Sequence, residues 1–444
     1  MVIGKKVYRS SYNYFFKYAE NIIGYNARTG ILALLSDEDA ELLQKHRDIS
    51  GHDTNRLDEL QSFGFVHEGD ELSKIKDRFN ARTNDENYIH LAIAPTLLCN
   101  FNCPYCYEKN VKTIGGMSEG VQESTLRYVE SLLANKKKSI SITWFGGEPL
   151  LEYETVVNMS NKFNDLVSCY KSEIDSLMII TNGVKINPTI LHNLNEIGIK
   201  KIQISVDSKI FERPYKRGLI DRRGNPSIIL KNIIDASKKI DRLFIRINTD
   251  GNNLKEVVDL ISILQQYGLD QKARLAPITH YHEDICGKKI ISFTEGLYGE
   301  KRLKKFSELE RNIYSGLQPF EDYFSMLKPK NCFCGANSDE MIVVDPLGRI
   351  YRCWHSVGNP DEAIGTVFDG IKNNQIEKKW KSYDPFSNDD CINCKVLPLC
   401  MGGCTHPKLF VSQSAYTCES IKFQVSFYLD QLANLIPMIK PELF

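Results

Sequence analysis

YIHLAIAPTLLCNFNCPYCYEKN, residues 88–110, decides how this chain is read. It opens as a short apolar run, which reads as a buried strand. It closes as a loop on which Cys99, Cys103 and Cys106 stand within eight residues. A loop after a strand is where an α/β protein places its chemistry. Three thiols on such a loop call for a metal, or else are a chance of composition.

Three thiolates can bind three irons of a [4Fe–4S] cube and leave the fourth iron for a non-protein ligand. A cluster that only passes electrons usually has four cysteine ligands. A zinc site is the plainer alternative for this stretch taken alone.

The remainder of the chain narrows the choice. Its 444 residues leave room for two or three domains. With 42% hydrophobic and 25% charged residues it has the composition of an ordinary soluble protein. The 56 basic and 56 acidic residues balance, so no global field favours nucleic acid. No run of about 18 apolar residues is present, so no membrane span is expected. MVIGKKVYRSSYNYFF at the N-terminus lacks the apolar run and small-residue site of a signal peptide. The expectation is a cytoplasmic protein. Its 13 cysteines are odd in number and do not read as disulfides in a reducing compartment. Eight of them lie between Cys332 and Cys418, while Cys169 and Cys286 stand alone. Cys169 reads as a buried or half-buried helix thiol and Cys286 as a loop cysteine.

Three regions follow along the chain. Residues 1–85 form a small mixed unit. VYRSSYNYFFKY and NIIGYNARTGILALLS are strand-like, NARTG is a turn, and Ser36 with Asp39 opens the helix SDEDAELLQKH. The order expected is three strands and then a helix. The polar stretch KDRFNARTNDEN reads as a link to the next region. From residue 86 to 300, short apolar runs (YIHLAIA, SISITWF, LMIIT, IQISV, LFIRIN, ARLAPI) alternate with helix-period segments. Such alternation makes a parallel sheet, either doubly wound or a full or partial barrel. Residues 301–329 read as a helical linker. Residues 330–425 are cysteine-rich and turn-rich, with too few apolar runs for much core, so metal is expected to hold them together. The last helix, extending into residues 426–444, is expected to pack back on the barrel.

C-x3-C-x2-C with Tyr105 before the last cysteine resembles the radical S-adenosylmethionine superfamily. The resemblance continues in order: GGEP at 146–149, TNG at 181–183, SVD at 205–207, RIN at 246–248 and LAPI at 275–278. It implies a partial (β/α)6 barrel. It also implies one cluster on Cys99, Cys103 and Cys106, with S-adenosylmethionine on the open iron. Tyr105, Gly146, Gly147, Glu148, Pro149, Asn182, Ser205, Arg217, Asn248 and Leu275 are the implied cofactor contacts. Glycine without Cβ allows a close backbone approach there, and Arg217 is implied to pair with the cofactor carboxylate. The family usually has Gly where this chain has Ser208. KIFERPYKRG, which contains Arg217, lacks a common His-Asp pair of the family.

The C-terminal pattern, Cys334-x13-Gly348-x4-Cys353 and then C-x2-C-x5-C-x3-C and Cys418, resembles the SPASM domain of peptide-modifying members. That resemblance implies two auxiliary [4Fe–4S] clusters. Cys391, Cys394, Cys400 and Cys418 would hold the distal one. Cys334, Cys353 and Cys404 would hold the proximal one, with Cys332 the candidate further ligand. The alternative is a zinc ribbon.

The function implied is reductive cleavage of S-adenosylmethionine to a 5′-deoxyadenosyl radical, driven by a low-potential donor such as flavodoxin or ferredoxin. The radical then oxidises a ribosomally made precursor peptide, by a thioether or carbon–carbon crosslink. Family members of this kind often start with a winged-helix-like domain that adds a leader peptide as a strand. Residues 1–85 are the candidate, with the strand around Val7 to Tyr14 as its edge; a structural cap on the barrel is the plain alternative. The alternatives for the chain are an anaerobic sulfatase-maturing (formylglycine-generating) enzyme, or a non-catalytic iron–sulfur or zinc protein. Candidates for a general base are Asp284, Glu283 and His280, which share a loop with His282; a solvated polar loop is the plain reading.

Overall fold

The computed structural model describes residues 6–18, 20–83, 87–111, 114–134, 139–249, 254–277, 281–283, 289–291, 308, 324–410, 418–419 and 421–435. His280, Asp284 and Cys286 lie outside the described residues.

The N-terminal unit is richer than its sequence pattern. Its order is β1 (Val7–Arg9), β2 (Asn13–Tyr18), β3 (Asn21–Asn26), β4 (Ile31–Leu35), α1 (Asp37–Lys45), α2 (Thr54–Phe63), β5 (Val66–Glu68) and α3 (Glu71–Thr83). VYRSSYNYFFKY therefore splits into two strands. β2, β3 and β4 form one antiparallel sheet. β1 leaves it to pair with β5. α1 starts where expected, with Ser36 Oγ accepting the Asp39 amide. KDRFNART is not a link but the body of α3. Ile75 and Phe79 at i and i+4 give it a buried face.

The middle region gives the parallel sheet. Its strands are β6 (Tyr88–Ile93), β7 (Ser139–Trp144), β8 (Glu173–Thr181), β9 (Lys201–Val206), then, past the short pair β10 (Ser208–Ile210) and β11 (Gly218–Ile220), β12 (Arg242–Thr249) and β13 (Ala273–Pro277). Helices α4 (Glu119–Ala134), α5 (Tyr153–Cys169), α6 (Pro188–Glu196), α7 (Ile228–Lys239) and α8 (Leu254–Gln265) connect them. The sheet order β13-β12-β9-β8-β7-β6 follows the chain without reversal. That is the order of an unclosed barrel rather than a doubly wound sheet. Each helix is set by local chemistry. In α7, Ser227 accepts the Leu230 amide, and Ile229, Leu230, Ile233 and Ala236 form the buried stripe. Ile142, Ile179, Ile204 and Ile245 in the strands are fully buried. Each contributes about 1.5–3 kcal/mol relative to exposure.

Past the hairpin β14 (Tyr281–Glu283) and β15 (Lys289–Ile291), the chain extends this sheet. β16 (Met341–Val344) pairs in parallel with β6. β17 (Arg349–Tyr351), β18 (Gly365–Thr366) and β19 (Gly370–Ile371) continue it antiparallel. This corrects the expectation that metal alone holds the cysteine-rich region. Met341, Ile342, Val343, Val344, Ile350 and Tyr351 are buried against the barrel's first strand. Short runs of four residues buried on both faces carry no periodic signal.

Two further expectations are corrected. Among the described residues the C-terminal helix Ile421–Leu435 has its buried core away from the barrel strands. It shares a core with Tyr25, Ile75, Phe79, Leu397, Leu399 and Met401, from the N-terminal unit and the cysteine-rich region. Cys169 is exposed at the end of α5, because the buried stripe of that helix ends at Val167.

Candidate cofactor and cluster sites

The loop after β6 carries Cys99 and Cys106 half-buried and Cys103 buried; none of the twelve described cysteines is in a disulfide. Both flanks pin the loop. The Leu97 amide donates to the Ile114 carbonyl at 3.1 Å and the Met117 amide to Pro95 at 2.8 Å. On the other side the Asn102 amide donates to the Pro214 carbonyl at 2.7 Å. Phe101 is 2% exposed and meets Phe211 edge-on at 6.3 Å. The Phe101 amide donates to the Cys99 sulfur at 3.4 Å.

GGEP follows β7 and lies directly against this loop. The Gly147 amide donates to the Thr96 carbonyl at 3.2 Å, and the Glu148 amide to Leu98 at 2.9 Å. Gly146 has φ 111°, and a Cβ there would sit 2.5 Å from the Thr96 oxygen. A Cβ on Gly147 would sit 2.1 Å from the Leu98 oxygen. The two glycines are thus required by contact with the cysteine loop itself, whether or not a cofactor is bound. Gly147→Ala is expected to displace Leu97 and Leu98 and to destabilise the fold at the upper end of about 1–3 kcal/mol. A denaturant midpoint on the cluster-free protein measures it; an unchanged midpoint refutes the packing account.

Glu148 is fully buried. Its Oε1 accepts from Thr181 Oγ1 at 2.7 Å and from the Leu150 amide at 3.1 Å, and its Oε2 accepts from the Asn182 amide at 2.8 Å. Burial raises its carboxyl above the ordinary value, and the hydrogen bonds from Asn182, Thr181 and Leu150 oppose that. The carboxylate bolts the end of β7 to the end of β8 and has its acceptor capacity largely taken up within the protein.

A second network lies at the ends of β9 and β12. Tyr105 Oη donates to Asp207. It accepts from Arg217 Nη2 at 2.6 Å and from Asn248 Nδ2 at 3.3 Å. Arg217 also donates through Nε to Asp207 Oδ2 at 3.1 Å, and its amide to Oδ1 at 2.7 Å. Burial works against the Arg217 charge, but Tyr105 and Asp207 beside it outweigh burial and hold the guanidinium well above its ordinary value. Burial raises the Tyr105 hydroxyl. Arg217, implied by the resemblance to pair with the cofactor carboxylate, has Asp207 and Tyr105 as its partners within the chain. Ser205 and Asn248 are buried near the ends of β9 and β12, Leu275 is buried on β13, and Asn182 is buried just past the end of β8. Pro149 is buried behind the glycines. Asp207 and Thr181 sit inside motifs that the sequence marks, yet nothing local shows that they are partners.

The C-terminal thiols fall into two groups by mutual influence. Burial pushes Cys353 well above an ordinary thiol, and Cys404 and Cys334 add to it. Burial takes Cys404 to about 12, with Glu419 and Cys334 adding, and Cys334 to about 11, with Cys332 and Glu340 adding. In the other group burial raises Cys391, with Cys418 and Cys394 adding. Burial takes Cys400 to about 12, with Cys394 and Cys391 adding. Cys332 is raised by burial and Glu340, while Arg82 lowers it and hydrogen-bonds to it. Thiols gathered and raised in this way must lose protons to bind a metal, so binding releases protons. Among the described residues no three His, Cys, Asp or Glu side chains converge on one point where a single ion could sit. Thiolates around an iron–sulfur cube are held apart by its inorganic core and need no such point.

One residue that the sequence does not flag ties together the segments around Cys334 and Cys353. Arg352 is 1% exposed. It donates to the carbonyls of Ser338 at 2.8 Å and Met341 at 3.0 Å, and to Asp339 at 2.7 Å and Glu377 at 2.5 Å. It thereby clamps the segment after Cys334 to the residue before Cys353. Glu283 lies on β14, in register with Lys289 of β15.

No helix among the described residues is long and apolar enough to cross a membrane. Residues 93–270 match the Radical SAM superfamily. The radical SAM cyclopropyl synthase TigE of Paramaledivibacter caminithermalis is 23% identical over 365 residues, covering 74% of this chain and 70% of that one. GTP 3′,8-cyclase of Clostridium perfringens is 26% identical over 296 residues, covering 63% of this chain and 83% of its own. Two solved structures share the fold. Streptococcus suis SuiB bound to precursor peptide SuiA aligns with a TM-score of 0.52 at 14% identity, over 94% of this chain and 99% of that one. Native anSMEcpe with bound AdoMet and Cp18Cys peptide aligns with a TM-score of 0.55 at 17% identity, over 79% of this chain and 99% of that one.

Proposed function

We infer that this chain, whose residues 93–270 carry the radical SAM domain and make it a member of that superfamily, oxidatively modifies a ribosomally made precursor peptide through a thioether or carbon–carbon crosslink. When bound, S-adenosylmethionine and its cluster supply a radical able to take a hydrogen atom from an unactivated carbon. Cys99, Cys103 and Cys106 hold that cluster and leave one iron for the cofactor. The GGEP edge and the Tyr105–Asp207–Arg217–Asn248 network shape its bed. Cys391, Cys394, Cys400 and Cys418 hold a distal auxiliary cluster. Cys334, Cys353 and Cys404 hold a proximal one, with Cys332 beside them. These are the sinks for the electron that the peptide gives up, and a flavodoxin or ferredoxin is the class of donor for cofactor cleavage. A zinc ribbon would instead hold thiolates about 2.3 Å from one ion, and the iron content of the chain separates the two readings.

The observation that carries the peptide reading is a cleft of about 550 Å³ that spans Arg47, β1 and His67 of β5, lined by Tyr8, Arg9, Arg47, His67, Asp70 and Lys395 among others. It joins the N-terminal unit to the Cys394 segment. Of the stretch Val7 to Tyr14 first expected to offer the edge, β2 from Asn13 onward keeps one edge without a strand partner among the described residues. β1 is covered on both sides, by β5 and by a bridge from Tyr8 to Asp48. The outer edge of β5 has no strand partner among the described residues. An extended peptide added there would gain backbone hydrogen bonds. SuiB and anSMEcpe, which share the fold, are each seen with a peptide.

Deleting residues 1–85 is not a clean test, since Ile75 and Phe79 are part of the core around Leu397 and Met401. A charge reversal of exposed Arg47 is cleaner. Arg47→Glu is expected to weaken precursor binding to the full chain about tenfold, ~1.4 kcal/mol. Cofactor cleavage without peptide should be unchanged. The function itself is tested anaerobically with S-adenosylmethionine, a reductant, and either the precursor peptide or GTP. Precursor should stimulate 5′-deoxyadenosine formation and lose a hydrogen pair in mass. Turnover of GTP with no change in the peptide would overturn the reading.

A further inference from the structure

Among the described residues of the cysteine loop, the side-chain nitrogen Nδ2 of Asn100, immediately after Cys99, is a buried donor without a hydrogen-bond partner. Its assignment as nitrogen does not rest on choice. The Val184 backbone amide donates to the side chain of Asn182 at 3.1 Å, and an amide N–H can only meet an oxygen there, which is Oδ1. The Nδ2 of Asn182 is then the group that faces Asn100, at 2.6 Å, and it must meet Oδ1 of Asn100. The remaining atom of Asn100 is therefore its NH₂. A backbone donor at the end of β8 thus fixes, through two side chains, a donor on the cysteine loop.

A buried donor left unpaired costs stability, and native proteins rarely keep one without a reason. The loop that carries it is the one read as the cluster loop. The Phe101 amide already donates to the Cys99 sulfur at 3.4 Å. Sulfur is thus the acceptor that this turn offers, and an iron–sulfur cluster would add sulfides to the thiolate.

The geometry points to Asn100 as a positioning residue whose side-chain amide donates a hydrogen bond to a sulfur of the radical SAM cluster, locked in that orientation by Asn182. This rests on the reading of Cys99, Cys103 and Cys106 as its ligands. An N–H···S bond favours the more negative, reduced cluster, and hydrogen bonds to the sulfurs are among the terms that set reduction potential. Asn100 would thereby make the reduced state easier to reach in the cluster that must deliver an electron to the cofactor.

The test is a potentiometric titration followed by electron paramagnetic resonance, on the full chain reconstituted with iron and sulfide, without and with S-adenosylmethionine. Asn100→Leu should retain its iron. Its equilibrium constant for one-electron reduction of this cluster should fall about tenfold, a negative shift of ~59 mV. The shift should be present already without S-adenosylmethionine; a shift seen only with it assigns the acceptor to the cofactor and overturns the proposal. Should the variant not assemble, the wild-type chain labelled with ¹⁵N at asparagine side chains answers instead. A nitrogen hyperfine coupling to the reduced cluster in the absence of cofactor is expected, and its absence overturns the proposal. A wild-type chain that forms no cluster on this loop overturns both this inference and the reading it rests on. A normal cluster with neither shift nor coupling overturns this inference alone.

Discussion

A chain with Cys99, Cys103 and Cys106 all changed to alanine is expected to form no 5′-deoxyadenosine while remaining folded. About eight irons per chain should be left out of about twelve, counting three four-iron clusters. The effect on chemistry is total because the open iron that would hold the cofactor goes with the cluster. The fold survives because other contacts hold the loop. Phe101 packs on Phe211, Asn102 is tied to Pro214, and the two glycines seat the loop backbone. Product chromatography and anaerobic iron assay read both halves. Cofactor cleavage by the triple variant would sink the assignment of the cluster.

Changing Cys400 to alanine is expected to remove about four irons and to loosen a defined part of the molecule. Cys400 follows Leu397 and Leu399, which are fully buried in the core shared with Tyr25, Phe79 and the C-terminal helix. Cluster binding and local folding are coupled. Amide protection should therefore fall across residues 391–410, the C-terminal helix and α3 together. β16 and β17 should keep theirs, because they are paired into the barrel sheet through β6. Cofactor cleavage should persist, uncoupled from peptide product. Hydrogen exchange measured residue by residue separates the two parts. Loss of protection in β16 would show that metal does hold the whole region, as its composition implies. Normal iron in the variant would show that Cys400 is not a ligand.

Much of the chain is legible because its signals are local. The middle helices and strands follow from periodicity and from caps within a few residues, such as Ser227 on Leu230. The order of the short motifs along the chain is enough by itself to point to the superfamily. The division of the C-terminal thiols between two clusters is implied by a resemblance in spacing alone. Sequence and structure part where burial is not periodic. KDRFNART looks polar enough to be a link, yet two residues a turn apart make it a helix. Met341–Val344 is too short to announce that it completes a sheet begun at Tyr88.

By itself the sequence determined the alternation of strands and helices across the middle region and the place of the cysteine loop, and it carries no apolar run of about 18 residues. These depend on neighbours a few residues apart, whose spacing the chain itself carries. Only the tertiary structure decided the partners. Tyr105 meets Asp207, Arg217 and Asn248 across separations of 102, 112 and 143 residues. Glu148 is consumed by the end of β8. The N-terminal unit sits on the cysteine-rich region, with Arg82 on Glu340 at 2.6 Å. Spacing carries no record of such pairs, because a hydrogen bond is made by positions in space that the sheet brings together. The orientation of Asn100 is the clearest case. It follows from one backbone amide at Val184, and no reading of CNFNCPYC alone could supply it.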